Sequence, residues 1–398
     1  MRKLVCSVAL LLGLLATSCG DGKSKMSSLP QIDVNASYPE KEICLQDVAK
    51  VSYIPLETND DFLLSDVIDV TEVSSKGIVC TNADKAYIFH PDGRVRLVLD
   101  KKGGGPGEYR FAPFVKVDWE REEILAHDAD QMAVLVYSLD GAFKRQMELG
   151  LTLRNNDFVN DNNGHLVLYK EKEGKLEEGK IEPPYRPVIL LSKEDGKMDS
   201  LSYQQDYYTT MFIKMSAGDN AFKIKIPDFS LKRFSGEVYL NEVYSDTIYR
   251  LDGRELEPFV TRTPSVKNDE VGKFLLKLKG ISPFYYFFRL QAKELSMGNR
   301  TGMAIHVSDE ESKNLMYDVK TGEICCPKFI HKEYQTDISF DDFRFDICDK
   351  NKACMILETL DLIEALEAGE LSGELKTIAE NLKEDDNPVL MLIEFKEY

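Results

Sequence analysis

From residue 67 to residue 330 the chain alternates short apolar runs with polar turns. The stretches "AYIFHPDGRVRLVL", "AVLVYSLDGAFKRQMEL", "VILLSKEDGKMDSLSY", "DTIYRLDGRELEPFV" and "NLMYDVKTGEICCPKF" share one plan: an apolar, often aromatic run, a polar turn ending in Gly, and a second alternating run. Each reads as a β-hairpin whose Gly supplies the positive φ of the turn. The turn glycines Gly93, Gly141, Gly196, Gly253 and Gly322 recur at intervals of roughly fifty to seventy residues, the scale of propeller blades. Two further short strands precede most of the hairpins. The first unit is read at 67–73, 77–81, 86–90 and 94–99, and the second at 114–118, 123–127, 133–138 and 143–149. Four antiparallel strands make one blade, and five such units are visible.

The sixth is expected from the end of the chain. Residues 359–383 read as one or two helices, with Leu375, Ile378, Ala379 and Leu382 on one face and Gly369 and Gly373 as interruptions. A strand then returns over about 389–395. An open ring would leave exposed sheet edges, so "VSYIPLE" (51–57) is predicted to complete the last blade beside it. The expected fold is all-β: a six-bladed β-propeller of four-stranded antiparallel blades, with a helical insertion in the last blade.

The start of the chain changes the picture of where this fold sits. "MRKLVCSVALLLGLLATSCG" has a basic start, an apolar run too short to span a bilayer, and small residues leading into Cys19. "LATSC" resembles a bacterial lipobox, in which Cys19 carries the lipid. The expected organisation is a lipoprotein signal peptide at 1–18, a flexible tether at 19–40, and the propeller at 41–398. The formal net charge of −18 argues against nucleic acid as a partner. No acidic run follows Cys19, which favours the periplasmic over the outer side of an outer membrane. Cys348 and Cys354 flank a turn and could meet across a hairpin, but buried free thiols are the preferred reading for these and the other cysteines beyond Cys19.

Several of these pieces together resemble the six-bladed β-propeller lipoproteins of Bacteroidota, related in shape to NHL and TolB-type propellers. The matching parts are the lipobox, "VSYIPLET" (51–58), "GGGPGEY" (103–109), "SDTIYRLDG" (245–253) and "DDNPVLMLIEFK" (385–396). The resemblance implies a fold and an anchor, and no agreed catalytic residues.

The glycine-rich loop "KKGGGPGEYRF" invites a nucleotide-binding reading, which its chemistry refuses. Glu108 stands where a P-loop requires Lys, and Pro106 removes an N–H from the cradle. Gly103, Gly105, Pro106 and Gly107 are instead expected to form a structural joint from blade 1 to blade 2, with Glu108 accepting backbone N–H bonds and Tyr109 wedged between blades. Glu108, Tyr109 and Trp119 are the candidates for a binding face. No nucleophile elbow or zincin motif is present, and "NDNNG" (160–164) and "HDAD" (127–130) read as turns. "PFYYFF" (283–288) is expected to be an inner strand. No catalytic residue, metal or cofactor is therefore predicted. The expected function is a lipid-anchored, non-catalytic interaction module with an envelope protein partner. The alternative is recognition of a glycan or small ligand, and a metal-dependent propeller hydrolase or lyase comes third.

Overall fold

A computed structural model of the chain describes residues 29–59, 63–64, 69–82, 85–110, 114–151, 153, 158–161, 163–170, 179–209, 211–217, 220–226, 230–268, 274–296, 312–336, 338–345, 347–348 and 351–397. Cys19, the signal peptide and the first part of the tether lie outside them.

Six four- or five-stranded blades form a ring. Blade 1 is built from Asp69–Ser74, Gly77–Thr81, Ala86–Phe89 and Val95–Leu99, in that order from the channel outward. Blade 2 follows with Phe114–Asp118, Glu123–Asp128, Ala133–Ser138 and Phe143–Glu148, and the paired registers match the strands read from the sequence to within about two residues. Blade 3 uses Phe158–Asn160, His165–Tyr169, Val188–Ser192 and Met198–Ser200, and blade 4 uses Leu231–Phe234, Glu237–Leu240, Thr247–Asp252 and Glu255–Thr263. The inner strand of blade 5 is Phe274–Ile281. The aromatic run expected to be that inner strand lies in the second one, Tyr285–Ala292. There Phe287 and Phe288 are fully buried, and "FLLKLKGI" takes the channel position because its lysines need an aqueous face.

All five turn glycines have positive φ, and each sits in the outer hairpin of its blade. Blade 6 has no such hairpin because its outer strands come from opposite ends of the chain. Lys352–Leu357 pairs with Val389–Phe395, which pairs antiparallel with Ala49–Pro55, placing Tyr53 opposite Met391. The innermost element of blade 6 is a short extended segment in which Arg344 exchanges both backbone hydrogen bonds with Cys354 (2.8 and 3.0 Å). The insertion between Leu357 and Val389 is two helices, Thr359–Glu367 and Gly373–Ala379. Apolar clusters fill the seams between blades. One joins Cys80, Tyr87 and Phe89 of blade 1 to Cys354 and Leu390 of blade 6, so the ring is closed by packing as well as by pairing.

The N-terminal segment corrects the expectation of a tether reaching residue 40. Gln31–Asp33 adds to blade 4 as a parallel fifth strand, and Glu40–Cys44 does the same on blade 5 before the chain enters blade 6. Ile32, Val34, Ile43, Leu45 and Val48 are buried. The alternation of Ile32 and Val34 with polar residues is a strand signal, hidden in sequence by the surrounding Pro, Ser and Asn; Leu45 and Val48 lie on one side of the short helix Leu45–Val48 that follows. This belt covers the outer edges of two blades, which would otherwise present unpaired backbone to solvent. The six described cysteines are free thiols, Cys348 and Cys354 included.

Candidate functional site

The loop that joins blades 1 and 2 is held by its own backbone. Glu108 N–H donates to Gly105 O (3.1 Å), closing a turn with Pro106 and Gly107 at its centre. Gly107 has φ +75°, the sign a type II turn needs at that place. The Glu108 carboxylate folds back to accept Gly105 N–H at 2.7 Å. It occupies the space beside Gly103, where an added Cβ would lie 2.0 Å from Glu108 Oε2. Tyr109 is completely buried among Val79, Ile88, Leu99, Val115 and Tyr137, between the two blades. Its hydroxyl donates to Leu99 O and accepts from Lys101 N–H, both at 3.0 Å. Blade 2 grips the loop from the other side. Arg110 N–H donates to Asp128 Oδ2 (2.7 Å), Gln131 Nε2 to Glu108 O (2.8 Å), and Tyr137 OH to Gly107 O (3.0 Å). A β-branched residue at 107 has to adopt a conformation that costs about 1–3 kcal/mol. We therefore expect Gly107→Val to lower the unfolding free energy by that amount, seen as a lower urea midpoint; an unchanged midpoint would contradict this role for the turn.

The candidates Glu108, Tyr109 and Trp119 do not form one face. Tyr109 precedes the inner strand Phe114–Asp118 and Trp119 follows it, so they lie at opposite ends of the ring axis. Tyr109 is no surface contact because its ring fills the seam. Trp119 is half-buried across the same seam. It packs on Gly77, where a Cβ would lie 2.4 Å from the indole, and its Nε1 donates to Glu72 Oε1 at 2.6 Å.

Glu72 leads to the channel. It sits on the inner strand of blade 1, 4% exposed, and its second oxygen accepts Val117 N–H at 3.2 Å. Burial pushes its carboxyl above the usual carboxylate range, against the pull of Arg233 and Lys116. These residues line a cavity of about 190 Å³ formed by the inner strands of blades 1, 2, 3 and 4 and the inner segment of blade 6. Four cations face it, Lys116, Lys232, Arg233 and Arg344, against the single carboxyl of Glu72. Lys116 Nζ reaches across to Thr71 O at 3.4 Å. Lys232 and Arg344 also line an adjoining cavity of about 410 Å³, where Lys279 of blade 5 meets Asp341, Asp342 and Glu358. Burial raises the carboxyls of Asp342 and Glu358 as well. The first of these cavities thus carries a cationic lining, while in the second three cations meet three carboxyls. A cationic lining, walled by low-dielectric blades, concentrates positive potential and is suited to holding an anionic group.

A family model described as a domain of unknown function, DUF4934, matches residues 29–394. The chain belongs to the DUF4934 family. The match begins where the belt begins, so the DUF4934 domain includes the fifth strands of blades 4 and 5. A crystal structure of a presumed exported protein from Bacteroides fragilis is similar to this DUF4934 chain with a TM-score of 0.61. It shares 16% identity, with 93% of this chain and 100% of that one covered. A member of the DUF4221 family from Bacteroides vulgatus gives a TM-score of 0.49 at 9% identity, covering 88% and 98% of the two chains. At 16% identity the likeness to the Bacteroides fragilis protein is one of fold. No curated protein matches the chain in sequence.

The channel cations were not singled out by sequence reasoning. Their signal is present in hindsight as a Lys or Arg inside an apolar inner strand: "FVKVD", "LKRF", "LLKLKG" and "FRF". Taken alone, each is an ordinary alternation. Only the ring brings them together.

Proposed function

We propose that this propeller is a lipid-anchored, non-catalytic binding module of the cell envelope that receives an anionic group of its partner in the central channel. The observation that carries the reading is the set Lys116, Lys232, Arg233 and Arg344, from blades 2, 4 and 6, facing one cavity that holds a single carboxyl. In that lining the cations outnumber the carboxyl, and the resulting positive potential favours an anionic group. An acidic segment of an envelope protein provides such a group. An acidic glycan, carboxylated or sulfated, is the second reading, favoured by a cavity sized for a small group rather than a flat face. The anchor rests on the lipobox at Cys19.

Two measurements test this reading. In titration calorimetry, the soluble domain is expected to bind galacturonate oligomers or an Asp-rich peptide and to ignore neutral oligosaccharides. Arg344→Gln should weaken that binding by roughly 10- to 100-fold, the worth of one charge-assisted hydrogen bond. The galacturonate and peptide arms separate the glycan reading from the protein reading, and failure of both removes the channel from the proposal. In cell fractionation, Cys19→Ala is expected to move the protein from the membrane to the soluble pool. Retention in the membrane would refute the anchor alone.

A further inference from the structure

A second cavity lies away from the channel, where the chain passes from blade 3 to blade 4. It measures about 340 Å³ and is formed by residues 203–207 and the connection 242–249 of blade 4. Its inner wall is made of hydrogen-bond acceptors. Glu242 is 1% exposed, and its carboxylate accepts the hydroxyls of Tyr169 (2.7 Å) and Tyr203. Gln205 is 2% exposed. Its Nε2 donates to Tyr207 O at 3.2 Å, while its Oε1 is buried with no partner among the described residues. A buried carbonyl oxygen of this kind lacks a donor, and leaving it so is unfavourable.

The side walls are aromatic. Tyr203 and Tyr249 meet edge to face with ring centres 5.4 Å apart, and Tyr207 stands at the mouth. Three carboxylates line it, Asp206, Glu242 and Asp246; Lys267 pairs with Asp206, and Arg262, behind the lining, lies 4.0 Å from Asp246. Lys267 shows what the mouth favours. Lys267 Nζ lies 5.6 Å over the Tyr207 ring and 3.1 Å from Asp206 Oδ1, an ammonium held between an aromatic face and a carboxylate. Lys267 is half-exposed, so it occupies the rim and leaves the Glu242–Gln205 floor to something else.

We infer that this flank pocket binds a primary ammonium on a short aliphatic stem, such as a diamine or a lysine side chain of a partner. The ammonium donates to Gln205 Oε1 and is neutralised by the Glu242 carboxylate, while the stem lies against Tyr203 and Tyr249. Tyrosine faces attract cations, and a primary ammonium supplies the donors that a quaternary one lacks. A sugar would meet the aromatic walls but would bring no cation to the Tyr faces and the Glu242 carboxylate.

The test uses the soluble chain and four probes in NMR titration: pentylamine, 1,5-diaminopentane, tetramethylammonium and glucose. Saturable binding of the two primary amines is expected, with tetramethylammonium weaker and glucose inert. Glu242→Gln should reduce amine affinity about tenfold or more. Because that change touches a buried network, Tyr249→Ala is the second variant; it removes part of the wall and should also weaken amine binding. Arg344→Gln in the channel should leave amine binding unchanged, which separates this pocket from the channel site. Absence of saturable amine binding, tetramethylammonium binding as tightly as pentylamine, or binding of glucose instead would each overturn the inference.

Discussion

Lys193→Met is expected to destabilise the propeller by about 3–5 kcal/mol, the cost of leaving a buried charge without its partner. Lys193 is 1% exposed, and its ammonium donates to Asp118 Oδ2 at 2.6 Å and to Asn160 Oδ1 at 2.7 Å. Asp118 ends the inner strand of blade 2, Asn160 ends the inner strand of blade 3, and Lys193 stands in the outer hairpin of blade 3. The cluster therefore clamps two blades at one end of their seam. Arg145 extends it, donating to the Glu123 carboxylate through its two terminal guanidinium nitrogens and from Nη2 to Lys193 O at 3.0 Å. With Met at 193, the Asp118 carboxylate is left 1% exposed, its nearest remaining cation Arg121 at 3.8 Å. The double variant Lys193→Met, Asp118→Asn should recover more than half of the loss, because the amide is neutral and still accepts Arg121 N–H through Oδ1. Urea unfolding with an unchanged slope measures both. A loss below about 1 kcal/mol for Lys193→Met would mean that the clamp does not hold the seam.

The second large effect is acid lability from His127. It is 1% exposed, neither ring nitrogen has a partner among the described residues, and Phe158 packs on it at 5.7 Å. Burial lowers its pKa from 6.5 to about 4, against a smaller opposing pull from Asp128. The folded state therefore keeps the ring neutral while the unfolded chain takes up a proton below about pH 6.5. Below that pH the unfolded state binds more protons, so stability falls as pH drops from about 6.5 to about 4 and then levels off. The full loss is about 3 kcal/mol. Glu72, Asp342 and Glu358, whose carboxyls are raised, act in the opposite direction as their protons bind. The measurement is thus the difference in stability between wild type and His127→Phe across this range. The variant is expected to gain on the wild type steadily below pH 6.5, and a pH-independent difference would show that His127 does not titrate against burial.

The physical reason these two groups escaped the sequence is the same. Lys193 in "LLSKEDG" and His127 in "EILAHD" look like a turn cation and a strand polar residue, and nothing local marks either as buried. Each is enclosed by the neighbouring blade, whose residues lie some thirty or more positions away along the chain. The loop at 101–110 was readable in both respects that are local: Gly-Pro-Gly-Glu encodes its own turn, and Glu108 accepts the nearby Gly105 N–H. The burial of Tyr109 followed from the expected wedge, and that burial removes it from any binding face.

What the sequence determined by itself is the repeating blade and the closure of the ring. A hairpin writes its turn glycine and its period-two alternation into adjacent residues, so five outer hairpins could be found without knowing what they pack against. The need to cover a sheet edge then identified 51–57 as the partner of the last strand. Only the tertiary structure decided the belt of residues 31–44, the cationic channel and the flank pocket. In each, the decisive neighbours are distant in sequence: Ile32 is buried through its pairing on blade 4, and Lys116, Arg233 and Arg344 line one cavity from three different blades. Alternation tells a strand which face is apolar. It does not tell which polar face meets water, which meets another blade, and which meets the axis.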